Sequence, residues 1–356
     1  MPPLLDEVRA DLGLSASVAG LLTTGPVVCF GLFALVAPRL ARRFPVEWLL
    51  VAAAAATAAG TALRAAGGAA GLFAGTLLAG IAIAVAQALV PVLVRLRFAA
   101  RAGTLTGSFS MALTLGSAFA AGLAVPLEHA FGNWRWALAV FAAPAAVAAA
   151  AWLVPATGAQ TRLPASEALS LHRLPRAWSV ALYFGAQSMA FYTGLTWLPT
   201  ILERDGFSAA GAGGLQALLN AVQFPPAFAV PVLAGRRRDQ SPLLAALVVP
   251  AAVAIVGLIA APGAALLWMP LLGLAQGGML GLALMLPVLR GATGPAVAAL
   301  TAMALSVGYL FASVGPFVAG AAHDLTGGWT AALVFLLCVT LAELPLGLAA
   351  TRSWTV

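Results

Sequence analysis

Apolar residues run for about twenty positions at a time along this chain, and short polar gaps separate the runs. A helix needs about 20 apolar residues to cross the hydrocarbon core of a bilayer. Runs of that kind fall at 18–37, 49–66, 72–94, 104–125, 136–154, 178–198, 212–234, 243–261, 266–289, 297–321 and 330–350. They predict about eleven transmembrane helices. Their Ala, Leu and Val are continuous rather than alternating, which excludes a closed barrel of short strands.

Composition agrees with that pattern. Of 356 residues, 62% are apolar and 8% are charged, against roughly 25% charged in a soluble domain. The predicted class is therefore an all-α polytopic membrane protein, and a water-soluble enzyme is excluded. Cys29 and Cys338 lie inside apolar runs with no Cys or His at metal spacing nearby, so they read as packing thiols.

All 18 basic residues are arginine. Fourteen of them (Arg39, Arg42, Arg43, Arg95, Arg97, Arg101, Arg162, Arg173, Arg176, Arg236, Arg237, Arg238, Arg290 and Arg352) fall in alternate gaps between the runs. The other gaps hold Arg9, Arg64, Arg135 and Arg204. The positive-inside rule puts the larger set in the cytoplasm. The carboxyl terminus is then cytoplasmic and the expected location is the inner (plasma) membrane. Arginines divided this way mark loops rather than a nucleic-acid face.

The chain also repeats itself. Residues 13–22 return at 206–215 and residues 111–120 return at 303–312, with six of ten positions identical in each pair. The offsets are 193 and 192. Each second block leads to a similar loop, His129 with Trp134 and then His323 with Trp329. Both copies have the same orientation, which predicts two parallel-repeat bundles about an axis along the membrane normal. The expected division is an amino-terminal bundle at 1–154, a polar cytoplasmic linker at 155–177 and a carboxyl-terminal bundle at 178–356. His172 lies in that linker and reads as solvated. The run at 178–198 has no counterpart before Gly13, so the repeat reads as a twelve-helix plan lacking its first helix. A start codon set too late explains this most simply; a real truncation is the other reading.

Polar side chains inside spans are expensive and should face the bundle interior or a wet cavity. Helical spacing gathers Gln187, Ser188, Tyr192 and Thr196 in one span, Gln216, Asn220 and Gln223 in the next, Thr114 and Ser117 in a third, and Ser306, Tyr309 and Ser313 in a fourth. Gln87 and Gln276 stand alone in theirs. Ser and Thr by default bond to their own backbone or cross-link helices, whereas a bulky amide or phenol needs a partner or water. Candidate solute-binding residues are therefore Gln87, Gln187, Tyr192, Asn220 and Gln276. Arg64, at the outer end of its span, either snorkels to headgroups or meets an anionic solute. Glu343 is the lone carboxylate within a predicted span and the candidate for proton coupling, although it lies toward the cytoplasmic end. Gly273, Gly277 and Gly281 form a double G-x-x-x-G run that permits close helix approach. Prolines inside spans, among them Pro91, Pro225 and Pro316, suit kinked helices in a moving bundle. There is no phosphate loop with its lysine and no acidic pair at a membrane edge, which argues against an ATP-driven pump and a membrane transferase.

Several segments carry a family resemblance. They are Gly80 to Pro91 running into Val94 and Arg95; Arg101 through Thr104 to Gly107, then Met111; and Trp134 to Trp136. Gln187, Ser188 and Tyr192 leading to Trp197 and Pro199 also belong, as do Ser306 to Tyr309 through Gly315 and Pro316 to His323, Asp324, Thr326 and Gly327. Together the chain resembles the major facilitator superfamily, and within it the cyanate and nitroimidazole transporter group. That resemblance implies two six-helix bundles, a cavity lined by the first, fourth, seventh and tenth helices, and favour for Gln87, Gln187, Tyr192 and Gln276; it makes Gln216 and Gln223 structural. The chain departs from the family in three places. The family's first helix is absent, Gln87 stands where relatives tend to have Asn, and Pro38 to Arg43 keeps the bases of the family's second loop without its Asp. The expected function is secondary-active transport of a small polar or anionic solute, cyanate-like or a small heterocycle, by alternating access. A truncated, non-transporting membrane protein or interaction scaffold is the alternative. No enzyme activity, cofactor, metal or nucleic-acid partner is expected; the partners are the solute and the lipid bilayer, and the protein is expected to be a monomer.

Overall fold

A computed structural model describes residues 4–14, 16–158, 160–164, 171–352 and 354–355. The side chain of His172 and the linker stretch 165–170 lie outside the described residues. Among the described residues all regular structure is helical. The elements are α1 (Leu5–Leu12), α2 (Ala16–Phe33), α3 (Ala37–Arg43), α4 (Val46–Ala66), α5 (Gly68–Arg97), α6 (Ala102–Phe131), α7 (Trp134–Val140) and α8 (Ala142–Thr157). After the linker come α9 (Pro175–Arg204), α10 (Ala209–Val222), α11 (Phe224–Gly235), α12 (Ser241–Ala260), α13 (Ala265–Arg290), α14 (Gly294–Ala312), α15 (Gly315–Thr326) and α16 (Thr330–Thr351).

Nine stretches of helix among the described residues are long and apolar enough to cross a bilayer, or ten if Thr24–Phe33 and Ala37–Arg43, bent by 51°, count as one span. The expected eleven is not reached. The remaining run lies in α9, which has the length, but Gln187, Ser188, Tyr192, Thr193 and Thr196 lower its mean hydropathy. Prolines account for the breaks. Proline has no N–H to donate and clashes with the carbonyl four residues earlier. Accordingly α11 starts just before Pro225 and Pro226, α15 just before Pro316 and α3 just before Pro38.

The Gly273, Gly277 and Gly281 run does bring helices together. A Cβ on Gly273 would overlap the Leu219 carbonyl oxygen, one on Gly277 the Gln223 oxygen, and one on Gly281 would lie 2.9 Å from the Ala227 oxygen. Only the missing side chains let α13 lie this close to α10 and α11.

At the arginine-rich end two clasps stand 193 residues apart, the spacing of the sequence repeat. Glu47, fully buried at the start of α4, takes Arg97 Nη2 at 2.9 Å, the Thr161 N–H at 2.9 Å and the Thr161 hydroxyl at 2.6 Å. One repeat later, Arg290 Nη2 donates to Gln240 Oε1, and its Nε and Nη2 donate to the Ala350 and Thr351 carbonyls at 2.8 and 2.6 Å. Gln240 Nε2 donates in turn to the carbonyls of Ala234 and Arg237. The chemistry explains the different residues. Glu47 meets donors on every side and needs acceptors alone; Gln240 must accept from an arginine and donate to helix-end carbonyls, which an amide does and a carboxylate does not. Beside this second clasp, the side-chain and backbone hydrogen bonds of Ser241 hold the Asp239 carboxyl below its ordinary range. The first clasp also fixes the linker, since the Val46 N–H donates to the Thr161 carbonyl and the Leu163 N–H to the Ala41 carbonyl.

The same end is where helices from the two sides of the linker press together. A Cβ on Gly103 would approach the Pro231 oxygen to 2.8 Å and one on Gly107 the Phe228 oxygen to 2.5 Å, so α6 and α11 touch backbone to backbone. Arg95 Nη2 donates to the Ala292 carbonyl at 2.9 Å. Toward the opposite end α6 packs far less along α10, and α15 packs on α9 and α16. Phe119 and Leu123 of α6 and Phe317 of α15 are exposed there. The described helices are thus closed at the arginine-rich end and parted at the other.

Removing Arg97 alone, as Arg97→Met, leaves a buried carboxylate without its countercharge and is expected to cost about 3 kcal/mol or more; adding Glu47→Leu recovers part of that loss. Thermal unfolding of the purified protein in detergent checks both.

Candidate functional site

The helices most enclosed by others are α5, α9, α13 and α14, and they carry Gln87, Gln187, Gln276 and Tyr309, each buried. Hydrocarbon offers no hydrogen bonds, so these groups must find partners inside the protein or in water held there. Tyr309 Oη donates to Gln87 Oε1 at 3.1 Å, joining α14 to α5 across 222 residues of sequence.

The Tyr309 ring is the junction of further helices. Its centroid lies 5.3 Å from Phe30 of α2, 5.3 Å from Phe184 of α9 and 6.4 Å from Tyr192 of α9. The rings are tilted or edge-on, the arrangements aromatic quadrupoles prefer. Tyr192, half-buried, also meets Phe191 edge-on at 5.4 Å. Gln87, Tyr192 and Tyr309 therefore form one cluster, built from elements on both sides of the linker.

Gln276 lies in a crevice between α9, α10 and α13 that also takes Phe191, Gly194, Leu219 and Gln216. The crevice is too narrow for a water molecule, and the buried Gln216 Oε1 has no hydrogen-bond partner among the described residues. Gln187 has a long contact from the neighbouring Ser188 hydroxyl at 3.4 Å. Asn220 is half-buried and accepts from Gln223 Nε2 at 3.1 Å.

Arg64 and Glu343 also lie apart from the Tyr309 cluster. Arg64 is on α4, which packs on α5, α7 and α8; its stem runs beside Gly75, and its buried Nε has no hydrogen-bond partner among the described residues. Glu343 is fully buried on α16, against α9 and α12, and neither carboxyl oxygen has a hydrogen-bond partner among the described residues. Several hydroxyls satisfy their own helix: Thr114, Thr196 and Ser313 donate to carbonyls three or four residues back. Among the described residues no group of three His, Cys, Asp or Glu is placed to hold a metal ion.

Tyr309 shares a polar stripe with Ser306 and Ser313 in the sequence, and its phenol is the signal that separates it from those hydroxyls. Its bond to Gln87 depends on how α5 and α14 meet, which no local pattern states. Glu47 and Gln240 lie at span edges, outside the polar stripes of the spans. The signal was there: Glu47 to Arg97 and Gln240 to Arg290 are both 50-residue steps, one repeat apart.

Comparison with known proteins agrees with this architecture. The family described as the Major Facilitator Superfamily matches residues 1–312. The chain is 35% identical to the 2-nitroimidazole transporter of Escherichia coli (strain K12) over 99% of its own length and 90% of that protein's. It is 31% identical to the cyanate transport protein CynX of the same organism, covering 95% and 89%. Among solved structures, the proton:xylose symporter XylE superposes with a TM-score of 0.79 at 14% identity, over 96% of this chain and 89% of the other.

Tyr309→Phe keeps the ring contacts and removes one buried hydrogen bond, an expected loss of about 1 kcal/mol. Tyr309→Ala also empties the junction and should cost about 3 kcal/mol or more. Unfolding of the two variants in the same detergent compares them directly.

Proposed function

The chain belongs to the Major Facilitator Superfamily and is a multi-pass membrane protein whose relatives are named transporters; on that premise we propose that it moves a small polar or anionic solute by alternating access around the Gln87–Tyr309 junction. The names of two relatives, a 2-nitroimidazole transporter and a cyanate transport protein, support a small heterocycle or a cyanate-like anion as the solute. The observation that carries the reading is the hydrogen bond from Tyr309 to Gln87. It joins residues on opposite sides of the linker through one buried hydrogen bond, which a solute with its own acceptors or donors replaces.

Gln87, Gln187, Tyr192 and Gln276 supply the binding groups, with Asn220 adding an amide. Arg64 supplies a positive charge toward an anion on its way in, and Glu343 is the group for proton coupling. The moving bodies are residues 1–154 and 178–356, joined by 155–177. The arginine-rich end faces the cytoplasm, with the carboxyl terminus on that side, so a bundle closed there by Gly103 and Gly107 against α11 is in its outward-facing state. The protein acts as a monomer in the inner membrane, since each site is complete within one chain.

Uptake of radiolabelled cyanate and of 2-nitroimidazole into proteoliposomes tests the proposal. Gln87→Ala and Gln187→Ala are each expected to lower uptake of the transported solute at least about tenfold, the loss of one buried hydrogen bond or more. Arg64→Gln should slow the anion and spare the neutral ring. Properly inserted protein that moves neither solute, or amide variants that transport as well as the parent, would overturn the reading.

A further inference from the structure

The two clasps are built alike but close on different parts of the chain. In the second half Arg290 donates to the Ala350 and Thr351 carbonyls, at the end of that half's own last helix. One repeat earlier those places belong to Thr157 and Gly158, the last residue of α8 and its cap. The first clasp passes them over. Glu47 instead takes the N–H and hydroxyl of Thr161, three residues further on and inside the linker. The first clasp also lies nearer water: the Arg97 side chain is 25% exposed and Thr161 is half-buried, whereas Arg290 is buried.

The clasped strand lies beside the seam between the halves. Its Leu163 is buried, and the Leu163 N–H donates to the Ala41 carbonyl at 3.0 Å. Ala41 belongs to α3, which packs on α14 of the second half. Arg97, held by Glu47, is the last residue of α5, and the two residues before it meet that same second half. Arg95 Nη2 donates to the Ala292 carbonyl, and Leu96 fills the place where a Cβ on Gly294 would be, at the start of α14. Linker strand, Glu47, Arg97 and the start of α14 thus form one series of contacts.

We propose that residues 161–163 are a latch on the cytoplasmic gate: seated on Glu47 and Ala41, they hold α3 and the end of α5 against α14, and they leave those seats when the gate opens. The proposal rests on the alternating-access reading above and adds the element that controls it. Water replaces the bonds the strand gives up, because the first clasp already borders water through Arg97 and Thr161. The second clasp has no such release, since its arginine is buried and tied to a helix end within its own half. Thr161 acts through Glu47 and Arg97, which makes it a positioning residue.

Thiol labelling of the full chain in membrane vesicles tests the proposal, with Cys29 and Cys338 replaced by alanine and one reporter cysteine added. Thr106 and Ser117 lie eleven residues apart on one face of α6. Thr106 is buried between Gly103 and Gly107, where α6 meets α11, and Ser117 is exposed. A membrane-impermeant maleimide reaches Thr106→Cys from the cytoplasmic side and Ser117→Cys from the outer side. Thr161→Val, which keeps the shape and loses the hydroxyl, is expected to speed labelling of Thr106→Cys about fivefold, the value of one hydrogen bond, and to slow labelling of Ser117→Cys. Thr161→Ser should restore the parent rate at both. Thr340→Cys, buried in the second half, should keep its parent rate throughout. Unchanged labelling of Thr106→Cys after Thr161→Val makes the strand fixed packing and overturns the latch; the transport reading survives if cyanate or 2-nitroimidazole still shifts the two reporters in opposite directions. Faster labelling of Thr340→Cys marks general loosening and also overturns it. Faster labelling of Thr106→Cys with none lost at Ser117→Cys supports the latch and counts against alternating access.

Discussion

Hydrocarbon accepts and donates no hydrogen bonds, and that constraint governs where this chain's polar groups sit at membrane depth. Most hydroxyls turn back on their own helix, as Thr57, Thr61 and Thr76 do toward carbonyls four residues earlier. The Gln87 amide and the Tyr309 phenol take no such local outlet. Gln87 and Tyr309 solve the problem for each other, and in doing so they set where α5 and α14 meet. The ring of Tyr309 then collects Phe30, Phe184 and Tyr192, so one polar contact organises side chains from four helices.

The two clasps apply the same constraint at the membrane edge. Each closes the arginine-rich end of one half with a buried guanidinium or carboxylate whose partners are all internal. The glycine contacts of α6 with α11 bring backbone against backbone at Gly103 and Gly107.

Duplication explains both the sameness and the differences of the halves. Residues 193 apart occupy matching places, yet what each place needs depends on its neighbours. Glu47 faces donors and Gln240 faces a mixture, so an acid and an amide serve one role. Trp134 and Trp329 mark matching loops, yet one is packed and paired while the other borders open space. A repeat therefore supplies an internal reference: a departure in one copy marks a place where the surroundings have changed.

The sequence by itself determined the solvent, the secondary structure and the repeat. Apolar runs of bilayer length, near-absence of charge and unequal loop arginines are local quantities, each readable without knowing what touches what. The glycine run on α13 was legible for the same reason, because G-x-x-x-G lies on one face of one helix. The number of apolar spans was less so, since α9 carries its polar stripe at the expense of the hydropathy that identifies a span. Tertiary structure alone decided which polar residues meet. It joined Tyr309 to Gln87, set Gln276 beside Gln216, left Arg64 and Glu343 away from the Tyr309 cluster and hollowed one of two matching corners. Those outcomes depend on helix rotation and crossing, fixed by packing between segments hundreds of residues apart, and no pattern within a single helix encodes them.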